Sequence, residues 1–180
     1  INAATLNQAP SGTSSSHAPV ADNAAFALPA SSWGFSDPDG NTFSKLAIVS
    51  VTGGTLTNNG VAVAAGTSVS MANDNLVFTG SGNAATEGKI TFQVVDNGGT
   101  ANGGVNTDPS PDVLTIPLQN VAPTAVDSSL IVNGFGFAVV QASQLGYADA
   151  EGQPMVHATF AYDASKFTLF DNGVPIASGG

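Results

Sequence analysis

The chain has 180 residues, of which 3 are basic and 13 are acidic, so its formal net charge at pH 7 is −10. The three basic residues, Lys45, Lys89 and Lys166, lie far apart in the sequence and do not form the basic cluster that phosphate recognition requires, which excludes nucleic acid as an expected partner. No run approaches the ~20 apolar residues of a membrane-spanning helix, so no membrane insertion is expected, and the 42% of hydrophobic residues predict a folded apolar core.

Short runs of β-branched and aromatic residues, each bounded by Gly, Asn, Asp or Pro, predict β-strands. In chain order, the sequence predicts a short helical turn near Ala30–Trp33 and then strands at 47–51, 60–63, 76–78, 90–95 and 113–116. The segments Asn58-Asn59-Gly60 and Asp171-Asn172-Gly173 contain residues that tolerate positive φ in a hairpin turn. Strands this short, separated by regular turn signals, predict an all-β fold of the antiparallel β-sandwich type.

The sequence repeats itself at an interval of about 113 residues. Ala9-Pro10 aligns with Ala122-Pro123 (122 − 9 = 113), and 56–61 aligns with 169–174 at the same interval. The alignment predicts a complete repeat at 9–121 and the first half of a second repeat at 122–180. Residues 1–8 resemble 116–121 and are predicted to be the terminal strand of a preceding repeat, or a linker, so the chain is expected to be part of a longer tandem array.

Three acidic loop segments are candidates for holding a cation: 22–23, 37–41 and 96–99. Calcium takes 6 to 8 oxygen ligands from carboxylates, amides and backbone carbonyls, and the Asp37-Pro38-Asp39-Gly40 turn puts two carboxylates on one side of a bend. The chain has no cysteine, so a cation is an obvious alternative to disulfides as a stiffener. Asp-x-Asp-Gly turns also occur on surfaces without any metal, and spacing alone leaves both interpretations open.

No combination of residues predicts an enzyme. His17 and His157 lie far apart without a matching triad, and the sequence lacks the Gly-x-Ser-x-Gly turn of a nucleophilic serine. Glu87 and Glu151 are the only glutamates, and neither sits with a second acid in the pattern that glycosidases use.

Aromatic residues raise a second functional class, a sugar-binding surface. Trp33 with Phe35, Tyr147 and Phe160 could stack against sugar rings. Trp33, however, aligns with Leu145 in the second repeat, and leucine cannot form a stacking platform. The alignment therefore favours core packing for Trp33.

Several segments together resemble the cadherin-like tandem repeats of giant bacterial surface and secreted proteins of the adhesin type. The resemblance covers 9–121 throughout and extends more faintly into 122–180; the segments that carry it are 6–13, 34–41, 54–66, 75–79, 91–104, 108–111 and 114–116. It implies a calcium-rigidified β-sandwich with a Greek-key layout (cadherin- or immunoglobulin-like), one of many repeats in a rod.

The resemblance also implies calcium ligands, residue by residue. In repeat one they are Asn7, Asp22, Asp37, Asp39 and Asp96, and in repeat two they are Asp149 and Glu151. Gln8 and Val121 stand where the family has an acid, and Asn133-Gly134 replaces the acidic pair that opens a repeat. Because calcium affinity follows the charge of the ligands, the repeat-two site is expected to be weak or empty.

These expectations describe a non-enzymatic structural and adhesive module, secreted or on a bacterial cell surface, with calcium as its expected stiffener. Its expected partners are neighbouring repeats or copies of itself, and cell-surface or matrix glycans. An incomplete second repeat would expose strand edges, so a neighbouring molecule is expected to complete it in head-to-tail filaments, with 1–6 as a candidate donor strand. The alternative is a carbohydrate-binding accessory module of a secreted polysaccharide-active enzyme, which requires an exposed Trp33.

Overall fold

A computed structural model describes residues 6–82, 87–129 and 137–177 of the chain. Within these ranges the secondary structure consists of β-strands and short 3-10 helices, which confirms the all-β prediction. The strands are β1 (Ser15–Ser16), β2 (Val20–Ala21), β3 (Ala25–Ala27), β4 (Phe43–Thr52), β5 (Gly54–Asn58), β6 (Val61–Ala62), β7 (Ser68–Ser70), β8 (Leu76–Gly80), β9 (Glu87–Asp96), β10 (Asp112–Gln119), β11 (Leu169–Asp171) and β12 (Val174–Ile176). The 3-10 helices are Ala30–Trp33, Ala101–Gly103 and Ala142–Leu145.

The predicted elements coincide with observed ones. The helical turn is the 3-10 helix Ala30–Trp33, and the five predicted strands fall on β4, β6, β8, β9 and β10, of which β4, β9 and β10 extend further in both directions. The proposed donor strand (all but Leu6) and Asn133-Gly134 lie outside the described residues. None of the described helices is long and apolar enough to cross a membrane.

The chain divides into two compact units. Unit 1 consists of Ile1–Pro123 together with Asp149–Gly152, and unit 2 consists of Thr124–Ala148 and Gln153–Gly180. The short segment Asp149–Gly152 therefore packs with unit 1, although the sequence repeat places it after residue 122.

Unit 1 contains two sheets. The larger has the order β1-β10-β9-β4-β7, with β2 also paired to β10, and the smaller has the order β3-β8-β5-β6. The pairings are antiparallel except that β10 runs parallel to β1 and β2. These exceptions arise because one N-terminal segment runs alongside the last strand in the same direction, with most of unit 1 between them in sequence.

Side chains from both sheets form one buried cluster in unit 1. Along β9, buried and half-buried residues alternate, so that Ile90, Phe92 and Val94 face the same way. The complete cluster is Leu28, Trp33, Leu46, Ile48, Leu56, Val69, Leu76, Phe78, Ile90, Phe92, Val94, Leu114, Ile116 and Leu118. Burying each aliphatic or phenyl side chain stabilises the fold by about 1.5–3 kcal/mol, so this cluster supplies most of the driving force.

Unit 2 has less regular structure in its described part. Its hairpin β11–β12 turns at Asn172 and Gly173, with φ of 47° and 83°, as the sequence predicts. None of its described residues is buried, and large apolar side chains are exposed, among them Phe137 at 96% and Val156 at 89%.

Candidate cation sites

The first acidic cluster surrounds the side-chain amide of Asn7. Its Nδ2 lies 3.1 and 3.2 Å from the two carboxylate oxygens of Asp96, 3.2 Å from the carbonyl oxygen of Gly99 and 2.7 Å from that of Val105. Asp96, at the end of β9, is buried with 2% of its surface exposed. The two N–H groups of one amide thus satisfy an oxygen cage that contains a buried carboxylate.

The acidic turn at 37–40 borders this cluster. Asp37 Oδ1 accepts the backbone N–H of Asp39 at 2.9 Å and that of Asn41 at 2.8 Å, an arrangement that closes the turn, and Asn41 Nδ2 in turn donates to Asn7 Oδ1. Gly40 has φ of 77°, which glycine adopts without steric cost. Asp37 Oδ2 is buried and finds no hydrogen-bond partner among the described residues.

The carboxylate of Asp39 points towards Gln8 rather than into the turn. Its carboxylate accepts the backbone N–H of Gln8 at 2.6 Å and the side-chain amide of Gln8 at 2.9 Å. These two hydrogen bonds, first the backbone N–H and then the side chain, lower the pKa of Asp39 below its ordinary value because they stabilise the charged form. Four of the predicted ligands, Asn7, Asp37, Asp39 and Asp96, therefore come together.

An open cavity connects the parts of this first cluster. It is lined by Leu6, Asn7, Asp39, Asn41, Gly98, Ala101 and Asn102. The space beside Asn7 depends on Gly98, since a Cβ added there would lie 2.0 Å from Asn7 Oδ1. The sequence analysis did not name Asn41 and Gly98 as site residues, although they fall within the acidic loop segments 37–41 and 96–99 that it selected.

Asp22 does not belong to the first cluster. The backbone N–H of Asp22 donates to the carbonyl of Gln119, the last residue of β10, at 2.9 Å. This end of β10 pairs with the start of β9 at Glu87, whereas Asp96 is the last residue of β9. Asp22 is completely buried, and neither of its carboxylate oxygens has a hydrogen-bond partner within the described ranges. Gly80 leaves room for it, because a Cβ there would lie 2.8 Å from Asp22 Oδ1 and 1.8 Å from its carbonyl oxygen.

The turn at 149–152 belongs to unit 1 and contacts Asn23, the residue after Asp22. Asn23 Nδ2 donates to the carbonyl of Ala150 at 2.7 Å, and the backbone N–H of Val121 donates to Glu151 Oε1 at 3.1 Å. Glu151 Oε2 is buried and has no hydrogen-bond partner in the part of the chain that the structure describes. Asp22, through its backbone N–H, and Glu151, through one carboxylate oxygen, thus contact the same segment, 119–121, and we call them the Asp22–Glu151 cluster.

The two acidic turns have the same geometry. The N–H of Asp39 donates to Asp37 Oδ1 at 2.9 Å, and the N–H of Glu151 donates to Asp149 Oδ1 at 3.0 Å. Gly40 and Gly152 follow with φ of 77° and 75°. In each turn the second acid then accepts a backbone N–H from the end of an earlier segment, Gln8 in one case and Val121 in the other. We call this contact the joint.

The joints recur together with neighbouring features. A backbone bridge joins Ser11 to Ser36, and another joins Thr124 to Ala148. The 3-10 helices Ala30–Trp33 and Ala142–Leu145 both end in a left-handed glycine, with φ of 59° and 56°. The local structure therefore follows the spacing of the sequence repeat.

Neither cluster contains a basic side chain. The two salt bridges found in the described part are Lys89 with Glu87 and Lys166 with Asp163, both outside the clusters. Within residues 6–82, 87–129 and 137–177, no three acidic, histidine or cysteine side chains converge closely enough to enclose a metal by themselves. A cation at either cluster would therefore complete its shell with amide, backbone or water oxygens, which calcium accepts readily.

Asp108 is a buried carboxylate of a different kind. It is 4% exposed, and its oxygens accept the backbone N–H groups of Gly12 at 2.6 Å and Ser110 at 2.9 Å. These hydrogen bonds offset the cost of burying its charge. Asp108 is thus explained by its role in holding two loops.

Trp33 lies in the core. It is completely buried and meets Phe92 edge-on with ring centroids 4.9 Å apart, as the repeat alignment predicts. Trp33 therefore has no face available for a sugar ring. Comparison of the chain with protein-family models, with curated proteins and with solved structures finds no match in any of the three.

Proposed function

We propose that this chain is a non-enzymatic structural and adhesive module of a large repetitive extracellular bacterial protein, stiffened by calcium. The observation that carries the proposal is the joint, which occurs twice at the spacing of the sequence repeat (149 − 37 = 112). A contact that links each acidic turn to the end of the preceding segment suits successive repeats of a rod. On this proposal the two sheets of unit 1 are a Greek-key β-sandwich, secreted or displayed on the cell surface.

The chemistry of the joints supports calcium as the stiffening ion. The side-chain groups there that could bind a metal are carboxylates and amides, with no sulfur or imidazole. Such hard oxygen ligands suit calcium or magnesium rather than zinc. The fully buried Asp22 fits a cation, because its two carboxylate oxygens have no partner among the described residues. When bound, calcium would neutralise the charge of Asp22 and Glu151 and hold their loops together.

Assembly with other copies or repeats is part of the proposal. Its support is the exposure of large apolar side chains in unit 2, where Phe137, Val139 and Val156 are 96%, 72% and 89% exposed. In soluble proteins, contiguous exposed apolar patches typically mark interaction sites. We propose that added strands cover these side chains, in head-to-tail filaments, and that cell-surface or matrix glycans are further partners.

A carbohydrate-binding accessory module is the second functional class. Its distinguishing requirement was an accessible Trp33, and that side chain is 0% exposed. Phe35 and Phe43 stack on each other and are half-buried against the core, whereas in unit 2 Tyr162 stacks on Phe167, which is 52% exposed. We therefore favour the structural module.

Thermal unfolding in calcium and in excess chelator tests the proposed function. At a calcium concentration a hundredfold above Kd, binding to the folded state alone adds about 2.7 kcal/mol, or a rise in Tm of about 5–10 °C. The matched control is Asp74→Asn, which removes one carboxylate from the loop between β7 and β8, outside both clusters, and we expect it to keep the full shift. An equal Tm in calcium and chelator would reject calcium as the stiffener.

A further inference from the structure

We infer that the two acidic clusters work in opposite ways: the Asp22–Glu151 cluster is the cation site, whereas in the Asn7 cluster amide groups take the place of the cation. This inference rests on the proposed calcium-dependent function and assigns it to particular residues. It reverses the order of affinity expected from counting carboxylates along the sequence, where repeat two appeared weaker.

The first step is the state of Asp22. A carboxylate that is completely buried, and that has no donor within the described residues, loses its hydration without compensation. Such a charge costs several kcal/mol unless it is paired. Asp108 shows how this chain handles a purely structural buried carboxylate, with two backbone N–H donors at 2.6 and 2.9 Å. Asp22 has no such arrangement, which indicates that its partner is a ligand.

The second step concerns Glu151, which contacts the same segment as Asp22. The carboxylate of Glu151 is held at Val121 by one oxygen, and its other oxygen is buried with no partner in the described chain. The backbone N–H of Asp22 donates to the carbonyl of Gln119, which lies two residues before Val121. Two carboxylates thus offer three unsatisfied oxygens beside one strand end, and two negative charges match one divalent cation. Hard oxygen donors select calcium or magnesium.

The third step concerns the Asn7 cluster, where the equivalent demand is already met. Asn7 Nδ2 has four oxygens within 3.2 Å, including both carboxylate oxygens of Asp96. Asp39 receives two N–H groups from Gln8. An amide NH₂ carries positive hydrogen atoms without a net charge, so it can occupy the centre of an oxygen cage as a cation would. The single exception is Asp37 Oδ2, which has no partner among the described residues.

The two clusters therefore differ in one respect that decides their need for an ion. In the Asn7 cluster the chain supplies its own donors to Asp39 and Asp96. In the Asp22 cluster no described donor reaches Asp22 or the second oxygen of Glu151. We expect one calcium ion per chain, bound at Asp22 and Glu151.

Calcium titration calorimetry of the whole chain, after removal of metal by chelator, tests the assignment. We expect wild-type protein to bind one equivalent, Asp22→Asn to bind at least tenfold more weakly, and the matched control Asp39→Asn to bind within twofold of wild type. Melting curves in chelator verify folding, and there Asp22→Asn should melt no lower than wild type because it removes a buried charge.

A gain-of-function variant tests the second part of the inference, that the Asn7 amide takes the place of a cation. Asn7→Asp replaces the amide in the oxygen cage with a carboxylate that needs a cation, so we expect the stoichiometry to rise from one to two and the variant to be more calcium-dependent in its Tm. A folded Asn7→Asp protein that still binds one equivalent would overturn the role assigned to Asn7.

The remaining outcomes separate this inference from the proposed function. Calcium binding that Asp39→Asn abolishes and Asp22→Asn preserves would overturn the assignment and leave calcium stiffening intact. Two equivalents in wild type would also overturn it. A folded wild-type chain that binds no calcium would overturn the proposed stiffening itself.

Discussion

The packing of Phe78 against Gly88 gives a direct test of whether the two sheets of unit 1 meet face to face. Phe78 belongs to β8 in the smaller sheet, and Gly88 belongs to β9 in the larger one. A Cβ added at Gly88 would lie 2.4 Å from Phe78 Cζ and 2.9 Å from Cε1, closer than carbon atoms can approach. Gly88→Ala must therefore displace the ring.

The expected magnitude follows from two opposing terms. Inserting a methyl group into a packed core typically costs about 1–3 kcal/mol, whereas the lower entropy of the unfolded chain returns about 0.4–1 kcal/mol. We expect Gly88→Ala to lower the free energy of unfolding by about 1–2 kcal/mol. Urea denaturation measures this value, with an unchanged m-value showing that the unfolded state is comparable.

A double-mutant cycle identifies the atoms responsible. Leucine lacks the Cε and Cζ atoms of phenylalanine, so in a Phe78→Leu background the added methyl should cost less than about 0.5 kcal/mol. The matched control is Phe92→Leu, four residues along β9 and about 13 Å from Gly88 at 3.3 Å per residue. We expect the control to be additive. A neutral Gly88→Ala, or equal coupling to Phe78 and Phe92, would refute face-to-face packing at this point.

Two further predictions concern the carboxylates. Hydrogen bonds from Gln8 lower the pKa of Asp39 in the folded state, so the stability they add is present above the ordinary aspartate pKa and is lost as pH falls through the lowered value. Asp39→Asn should flatten the urea-unfolding profile below the ordinary aspartate pKa, and an unchanged profile would contradict this. In chelator, Asp108→Asn should cost about 1–3 kcal/mol because a buried backbone N–H loses its acceptor, while Asp22→Asn should stabilise; calorimetric melting showing the same sign for both would contradict the contrast.

Much of the secondary structure could be predicted because it depends on local sequence. The runs that became β9 and β10 alternate apolar with polar residues, and Asn59-Gly60 supplies the two positive φ angles of its turn, 50° and 78°. β1 could not be found in this way, because it consists of Ser15 and Ser16 and exists only by pairing with residues 114–115. Pairing between segments so distant in sequence leaves no local signature.

The candidate site was partly predictable for a related reason. The Asp-x-Asp-Gly pattern located the turn at 37–40, since glycine and closely spaced carboxylates are needed in the turn itself. The grouping of Asp22 with Glu151 depends on tertiary contacts across 129 positions (151 − 22) and has no local signal. Charge counting ranks the clusters in the opposite order to our inference, because it counts carboxylates without asking which of them already accept hydrogen bonds.

The composition of the chain explains why both solutions to a buried carboxylate would occur in one module. With a net charge of −10 and three basic residues, the chain has few cations of its own to pair with aspartate. A carboxylate in either cluster must then accept amide hydrogen bonds, as Asp39 and Asp96 do, or recruit an ion, as we infer for Asp22. A cluster held by amide hydrogen bonds persists at any calcium concentration, whereas a cluster held by an ion weakens as the calcium concentration falls. An array that contains both kinds of cluster would therefore become more flexible at the ion-held clusters when calcium is removed, while the amide-held clusters stay intact.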